Sequence, residues 1–291
     1  MLDIRTYYRH TRFDYRTIWN NRHNLAVHFG YYDEHADKHH AALNNMNRAM
    51  ADLAGVQAGE HVLDAGCGMG SACFWLAEHR QAQATGISIV PEQIADCERV
   101  LAERQASGVE FVVADYCHTP FPDAHFDVVW ACESLCHAEH KLDFYREAYR
   151  LLKPGGRLVI AEYIRAARPI SERGETLLQQ WLHPWAIRDI DTRAEHLSNA
   201  QAAGFQSADM QDVTRHVRVS LRNLHELCTK WLPWGKVFKA FRIVNDIRLN
   251  NVRASIRQYE ALGEGAWFYG MLVCVKRPTS EASPSHVGRV V

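Results

Sequence analysis

Residues 62–70 read Val-Leu-Asp-Ala-Gly-Cys-Gly-Met-Gly, and this stretch constrains the fold more tightly than any other. Val62 and Leu63 belong to an apolar run suited to a buried strand. Asp64 follows, and then glycine at every second position, Gly66, Gly68 and Gly70. Glycines so spaced let the backbone turn tightly and approach a ligand closely. A helix is predicted from Ser71. The order Asp-x-Gly-x-Gly-x-Gly differs from the Gly-x-Gly-x-x-Gly of dinucleotide-binding turns. Taken alone, such a turn also serves purely structural roles.

The residues that follow repeat a pattern. Ala82–Ile89 is a second strand-like run, and Pro91 opens a helix with Ile94, Cys97, Val100 and Leu101 on one face. Proline suits that position because the first helical N–H has no partner in any case. A third run, Val109–Val113, ends at Ala114-Asp115-Tyr116, and a fourth, Phe126–Cys132, follows Pro120-Phe121-Pro122-Asp123. Leu142–Leu152 has helical spacing and is stopped by Lys153-Pro154-Gly155-Gly156; Arg157–Tyr163 is a fifth strand. Strands alternating with helices predict the α/β class: a Rossmann-like, doubly wound, mostly parallel sheet with helices on both faces. Ligands bind such sheets beyond the carboxyl ends of the strands. Asp64, Ser88, Asp115 and Glu133 all fall at or just after strand ends, on one rim.

Residues 25–163 resemble, in sequence and order, the core of the class I S-adenosylmethionine-dependent methyltransferases. The glycine turn resembles their motif I, which lies under the methionine part of the cofactor. Most members carry an acidic residue after the second strand that grips both ribose hydroxyls. Here the segment is Gly86-Ile87-Ser88-Ile89-Val90-Pro91-Glu92-Gln93, with Ser88 in the acid's place and Gln93 five residues on. That pattern is similar to the sterol C-methyltransferases, gamma-tocopherol methyltransferases and cyclopropane fatty acid synthases. Ala131-Cys132-Glu133-Ser134-Leu135-Cys136-His137-Ala138 resembles the Glu-Ala-x-Cys-His-Ala segment of the sterol enzymes. Leu25-Ala26-Val27-His28-Phe29-Gly30-Tyr31-Tyr32 resembles their His-Phe-Gly-Tyr-Trp lid segment. The resemblance implies S-adenosyl-L-methionine as cofactor and S-adenosyl-L-homocysteine as product. It implies a cofactor site drawn from Asp64, Gly66, Cys67, Gly68, Ser88, Ile89, Gln93, Asp115, Tyr116 and Glu133, with ribose recognition moved to Ser88 and Gln93.

The expected organisation has five parts. Residues 1–54 form lid helices, with aromatic and basic residues interleaved at Tyr7, Tyr8, Arg9, Phe13, Tyr15 and Arg16. Residues 55–163 form the cofactor-binding core, and 164–265 hold the remaining core elements with a helical substrate cap. In that third part, Glu195–Phe205 is a late core helix and Gln206–Thr214 a strand, while 165–193 and 217–262 are cap. Residues 266–278 carry the last strand, antiparallel to its neighbours, and 279–291 form a disordered tail.

Lysine plus arginine number 33 and aspartate plus glutamate 34, a balance that argues against a general nucleic-acid binder. No apolar stretch reaches the length of a membrane span, and residues 1–24, rich in arginine, tyrosine and asparagine, do not read as a secretory leader. The eight cysteines form no Cys-x-x-Cys pair, which suits reduced thiols and a cytoplasmic setting. A homo-oligomer stays open.

The cap is expected to set substrate identity. Trp181, Trp185, Trp231, Trp234, Phe238 and Phe241 either fill the interface of cap and core or wall an apolar pocket. Lys230, Lys236, Lys239, Arg242, Arg248, Arg253 and Arg257 either form a solvated face or supply a few groups for an anionic head such as a diphosphate. Glu133 is the leading base or cation stabiliser, against a salt bridge or a helix cap. His137 follows one turn later and faces the same cavity if residues 133–137 are helical; otherwise it is structural. His35, His39 and His40 with Asp33 and Asp37 read as a solvated helix start rather than a metal site, and the implied chemistry needs no metal. Cys132 and Cys136 read as buried small hydrophobes rather than a redox pair. The favoured acceptor is an apolar isoprenoid or prenylated alkene methylated on carbon. The first alternative is oxygen or nitrogen methylation of a small phenol or amine. The second is a cofactor-binding fold that acts as a non-methylating cyclase or partner subunit.

Overall fold

The computed structural model describes residues 3–14, 25–242 and 244–278. The expected tail 279–291, together with Tyr15 and Arg16 of the lid, lies outside the described residues, as do the side chains of Phe13 and Lys236. Helix α1 (Ile4–Asp14) and helix α2 (His39–Ala54) precede β1 (His61–Ala65), α3 (Ser71–Arg80), β2 (Gln83–Ser88), α4 (Pro91–Arg104), β3 (Val109–Val113) and β4 (Phe126–Cys132). Then come α5 (Lys141–Leu151), β5 (Leu152–Arg165), α6 (Glu172–Leu182), α7 (Arg193–Ala203), β6 (Ser207–Asp212), α8 (Thr214–Ala240), α9 (Asp246–Gly263) and β7 (Trp267–Val275).

The strands form one seven-stranded sheet in the order β3-β2-β1-β4-β5-β7-β6. The first five are mutually parallel, and β7 runs antiparallel to both β5 and β6. This is the Rossmann-like, mostly parallel sheet with an antiparallel last strand that the sequence predicts. Side chains alternate across the sheet, so each face builds its own core. Val62, Val128, Trp130 and Val159 pack on one side with Met46 and Leu76. Leu63, Val129, Ala131, Leu158 and Ile160 pack on the other with Phe144 and Tyr145. Helices cover both faces, which is why the inner strands read as continuous apolar runs.

Local signals explain the helix ends. Pro91 occupies the first turn of α4. Thr192 and Glu195 form a reciprocal capping box at the start of α7, and Gly204 ends that helix in the left-handed conformation.

One boundary differs from expectation. Lys153-Pro154-Gly155-Gly156 stops α5 at Leu151 as expected, but β5 is already counted from Leu152. The segment is therefore an irregularity inside the strand, with Gly155 at φ +77° and the register against β4 shifting from Phe126↔Leu152 to Val128↔Arg157. Gly155 N–H donates to the Lys276 carbonyl and Lys276 N–H to that of Gly156, so the end of β7 pairs with the glycines. A Cβ on Gly156 would lie 2.8 Å from the Lys153 carbonyl oxygen and 3.0 Å from that of Asp127, so glycine fits this irregular segment.

Strand order reverses between β1 and β4, and the crevice at the carboxyl ends of these strands is where ligands bind such sheets. Helices α1, α8 and α9 bring side chains to the same crevice. Tyr7 of α1 is buried and its hydroxyl donates to Asn251 Oδ1 of α9 at 2.9 Å. Among the described residues, no helix is long and apolar enough to cross a membrane.

Candidate active site

A cavity of about 360 Å³ opens beyond β1, β2 and β4. The glycine turn reaches it through Gly66. Gly66 has φ +100°, and a Cβ there would sit 2.5 Å from Ser134 Cβ. Ser134 is itself fixed, its hydroxyl donating to the Ala65 carbonyl at 2.6 Å. Gly66 and Cys67 both donate their N–H groups to the Ile87 carbonyl, which ties the turn to the end of β2. There the Ser88 hydroxyl donates to Gln93 Oε1 at 2.7 Å and accepts from Val90 N–H at 3.1 Å. Proline at the start of α4 places Gln93 within the helix's first turn, so both polar side chains line the cavity beside Ile89 and Tyr116. The Tyr116 hydroxyl donates to the Ser134 carbonyl at 3.1 Å.

Glu133 stands just after β4 with φ +51°, and only a short 3-10 turn, Leu135–His137, follows it. The continuous helix considered for residues 133–137 is therefore absent, yet Glu133 and His137 still line one cavity. The Glu133 carboxylate accepts from Phe29 N–H at 2.8 Å and the Tyr269 hydroxyl at 2.7 Å through Oε1, and from the Tyr163 hydroxyl through Oε2. Burial pushes its pKa up to about 7, against the pull of these donors. His137 is half-buried, and desolvation lowers its pKa to about 4, so the ring is neutral near pH 7. Its Nε2 lies 3.2 Å from the Tyr8 hydroxyl of α1.

Of the expected site residues, the structure brings Gly66, Ser88, Ile89, Gln93, Tyr116, Glu133 and His137 round this cavity. Asp64, Cys67, Gly68 and Asp115 do not line it. Asp64 lies within β1, paired in register with Gly86 and Trp130, and burial raises its pKa to about 7. Cys67 is buried, and the Gly68 carbonyl accepts from the Cys97 thiol at 3.4 Å, so both back the turn. Asp115 is exposed and accepts from Cys117 N–H at 2.8 Å.

The cap residues divide. Trp181 is fully buried, packed edge-on to Tyr163 at 5.2 Å, whereas Trp185 and Trp231 line the cavity. Trp234 and Phe241 face solvent. Of the basic residues, Arg248 lines the cavity. Lys230, Lys239, Arg242, Arg253 and Arg257 are exposed; Lys239 pairs with Asp246, Arg257 with Glu260, and Arg253 donates to Asn250 Oδ1. Asp33 accepts from Arg48, Asn45 and His35 N–H, and among the described residues no His, Cys, Asp and Glu side chains group to hold a metal ion. Cys136 is buried and Cys132 half-buried, neither in a disulfide.

Tyr163, Tyr269, Ser134 and Asn251 escaped the sequence reading. Tyr163 ends the predicted fifth strand on the same rim, a signal that was available. Tyr269 reaches Glu133 only through the antiparallel register of β7 against β5, which sequence spacing does not reveal. Glu162 was also missed. It is buried behind the cavity wall, accepts from the N–H groups of Cys136 and Tyr163, and burial raises its pKa to about 7.

Residues 63–160 match the family model described as a methyltransferase domain. The chain is 27% identical over 260 residues to the 27-O-demethylrifamycin SV methyltransferase of Amycolatopsis mediterranei (strain S699), covering 87% of this chain and 90% of that protein. It is 32% identical over 195 residues to the O-methyltransferase resE of Aspergillus sclerotiorum, covering 66% of this chain and 73% of that one. Among solved structures, the [4+2]-cyclase SpnF superposes with a TM-score of 0.70 at 26% identity, over 87% of this chain and 88% of that one. The glycine turn that no side chain could enter, and the hydroxyl–amide pair at the end of β2, fit the cofactor of such enzymes. The chain belongs to the class I S-adenosylmethionine-dependent methyltransferases, and S-adenosyl-L-methionine is its cofactor.

Proposed function

We propose that the protein methylates a hydroxyl oxygen of a bulky, mostly apolar small molecule, with His137 as the base. The observation that carries this reading is a neutral imidazole in the cavity wall, hydrogen-bonded to the Tyr8 hydroxyl. In the tautomer with Nε2 unprotonated, Tyr8 donates to it, and an acceptor hydroxyl reaching the same nitrogen takes over that bond. A pKa near 4 makes His137 a weak base. An attacking alcohol oxygen becomes strongly acidic as its new bond to carbon forms, so a weak base suffices if it is well placed. The relatives named as O-methyltransferases support the reading.

Gly66, Ser88, Ile89, Gln93 and Tyr116 would hold the cofactor, with Ser88 and Gln93 offering polar atoms to the ribose hydroxyls. When bound, the cofactor supplies a methyl group on a cationic sulfur, already activated for displacement. The chain's own residues then position the acceptor and exclude water. Tyr7, Phe29, Tyr163, Trp185 and Trp231 give the cavity an aromatic wall suited to a large apolar acceptor.

Carbon methylation of an isoprenoid or prenylated alkene is the second reading, and Glu133 favours it. A carboxylate among Tyr163, Tyr269 and Phe29 suits a cation that forms and then loses a proton. A diphosphate handle on that acceptor would rest on Arg248, the basic cap residue that lines the cavity among the described side chains.

Turnover of an acceptor panel by His137→Gln and Glu133→Gln, beside calorimetry with S-adenosylhomocysteine, separates the readings. Oxygen methylation by His137 predicts that His137→Gln keeps cofactor binding and loses on the order of a hundredfold or more in kcat. Near-normal turnover in that variant with loss in Glu133→Gln would favour carbon methylation. Cofactor binding without any methylated product would point to a non-methylating catalyst.

A further inference from the structure

The carboxyl-terminal half of α8 and Phe241 just after it carry an apolar ridge that the other described residues leave largely exposed. Leu227, Trp231, Trp234, Phe238 and Phe241 recur at the spacing of one helix face. Leu227 is 45% exposed, Trp234 63% and Phe241 72%, and Val237 beside them is 46% exposed. Large side chains this open, grouped on one helix, mark an interaction surface rather than scattered surface apolarity.

The ridge is continuous with the cavity. Leu227 and Trp231 belong to both, since each lines the cavity while standing at the start of the exposed stripe.

The segment itself is basic, although Lys239 pairs with Asp246 just beyond it. Residues 227–242 contain Lys230, Lys236, Lys239 and Arg242 and no aspartate or glutamate, in a chain whose formal net charge is -1. A two-fold contact between copies would set this basic segment against itself, since such an interface pairs the same patch with its own image. Tryptophan and phenylalanine flanked by lysine and arginine instead match a bilayer surface. The rings enter the boundary of head groups and acyl chains, while the cationic ends stay with anionic head groups.

We propose that the ridge Leu227–Phe241 docks on the surface of an anionic phospholipid bilayer and that the apolar acceptor passes between bilayer and cavity along it. The docking goes beyond the reaction proposed above and does not depend on which atom receives the methyl group.

The test is sedimentation of the full chain, with S-adenosylhomocysteine and no acceptor, on two kinds of vesicle: phosphatidylcholine mixed with phosphatidylglycerol, and phosphatidylcholine alone. The protein binds the mixed vesicles, binds the neutral ones more weakly, and is released by salt. Trp234→Ser combined with Phe241→Ser lowers partitioning by roughly tenfold or more. Lys230→Glu combined with Arg242→Glu removes the preference for anionic vesicles. These four side chains do not line the cavity, so S-adenosylhomocysteine binding reports that each variant is folded. Failure of the parent protein to sediment with either vesicle overturns the proposal, as does unchanged partitioning in both variants. A concentration-dependent dimer abolished by Trp234→Ser and Phe241→Ser, without vesicle binding, would assign the ridge to a second copy and also overturn it. Because no acceptor is present, none of these outcomes bears on the oxygen-methylation reading.

Discussion

Gly66→Ala should cripple the site through two separable effects. The backbone at 66 has φ +100°, a region that residues with a Cβ rarely adopt; holding alanine there costs about 1–3 kcal/mol. The new Cβ would also lie 2.5 Å from Ser134 Cβ and 3.0 Å from its hydroxyl oxygen, where ordinary contact begins near 3.4 Å. Ser134 cannot retreat freely, because its hydroxyl is bonded to the Ala65 carbonyl and its own carbonyl accepts from Tyr116. Overpacking of this kind costs about 1–3 kcal/mol more. The sum is about 2–6 kcal/mol, which for a chain of this size lowers the midpoint of thermal unfolding by roughly 3–10 °C. The assay is thermal unfolding combined with S-adenosylhomocysteine titration, for Gly66→Ala, Ser134→Gly and the double variant. Ser134→Gly should relieve the contact part of the loss and leave the backbone part, so the cycle shows coupling of about 1–3 kcal/mol. A Gly66→Ala protein with the parent's unfolding midpoint and affinity, or a cycle without coupling, would refute the argument.

Other consequences follow from the same geometry. Gln93→Ala should weaken S-adenosylhomocysteine binding by about 1–3 kcal/mol with little change in thermal stability, measured by calorimetry, whereas Ser88→Ala should also lower stability because the buried Val90 N–H loses its acceptor. Tyr8→Phe should leave cofactor affinity intact and lower kcat by roughly tenfold, because His137 loses the hydroxyl that orients it; unchanged kcat would detach α1 from the chemistry. Burial raises the Glu133 pKa from 4.5 to about 7, so the folded state holds that proton more tightly than the unfolded state. The stability this gives is complete below about pH 4.5 and is lost as pH rises through 7. Denaturant unfolding across this window should therefore show the parent losing stability relative to Glu133→Gln. For His137 the sign is opposite: its folded pKa is lowered from 6.5 to about 4, so the parent should gain on His137→Gln as pH rises between these values.

The parallel half of the sheet was legible because each strand is a short apolar run punctuated by glycine, proline or acid. The predicted Val109–Val113 and Phe126–Cys132 coincide with β3 and β4 end to end. The start of β5 was not, since Lys-Pro-Gly-Gly carries every local mark of a stop, and its place in the strand comes from pairing with Phe126 and Lys276, which local sequence does not reveal. The rim residues Ser88, Gln93, Glu133 and His137 were visible through their place after strands. What holds Glu133 was hidden. Tyr269 is 136 residues away and Phe29 104, and no local pattern ties them to a glutamate after β4. The basic cap residues could not be divided for a related reason. Helix α9 is polar on more than one side, so its sequence does not tell that Arg248 turns to the cavity while Arg253 and Arg257 turn to solvent.

The most direct test supplies S-adenosylmethionine carrying a carbon-13 methyl group to the purified protein with a panel of phenols, macrocyclic and polycyclic alcohols, hydroquinones, sterols and prenyl diphosphates. The product is then read by carbon-13 NMR. The account predicts a labelled methyl at the shift of a methyl ether, on an apolar polycyclic or macrocyclic acceptor, and its loss in His137→Gln. A label attached to carbon, or a methyl ether formed at full rate by His137→Gln, would contradict it.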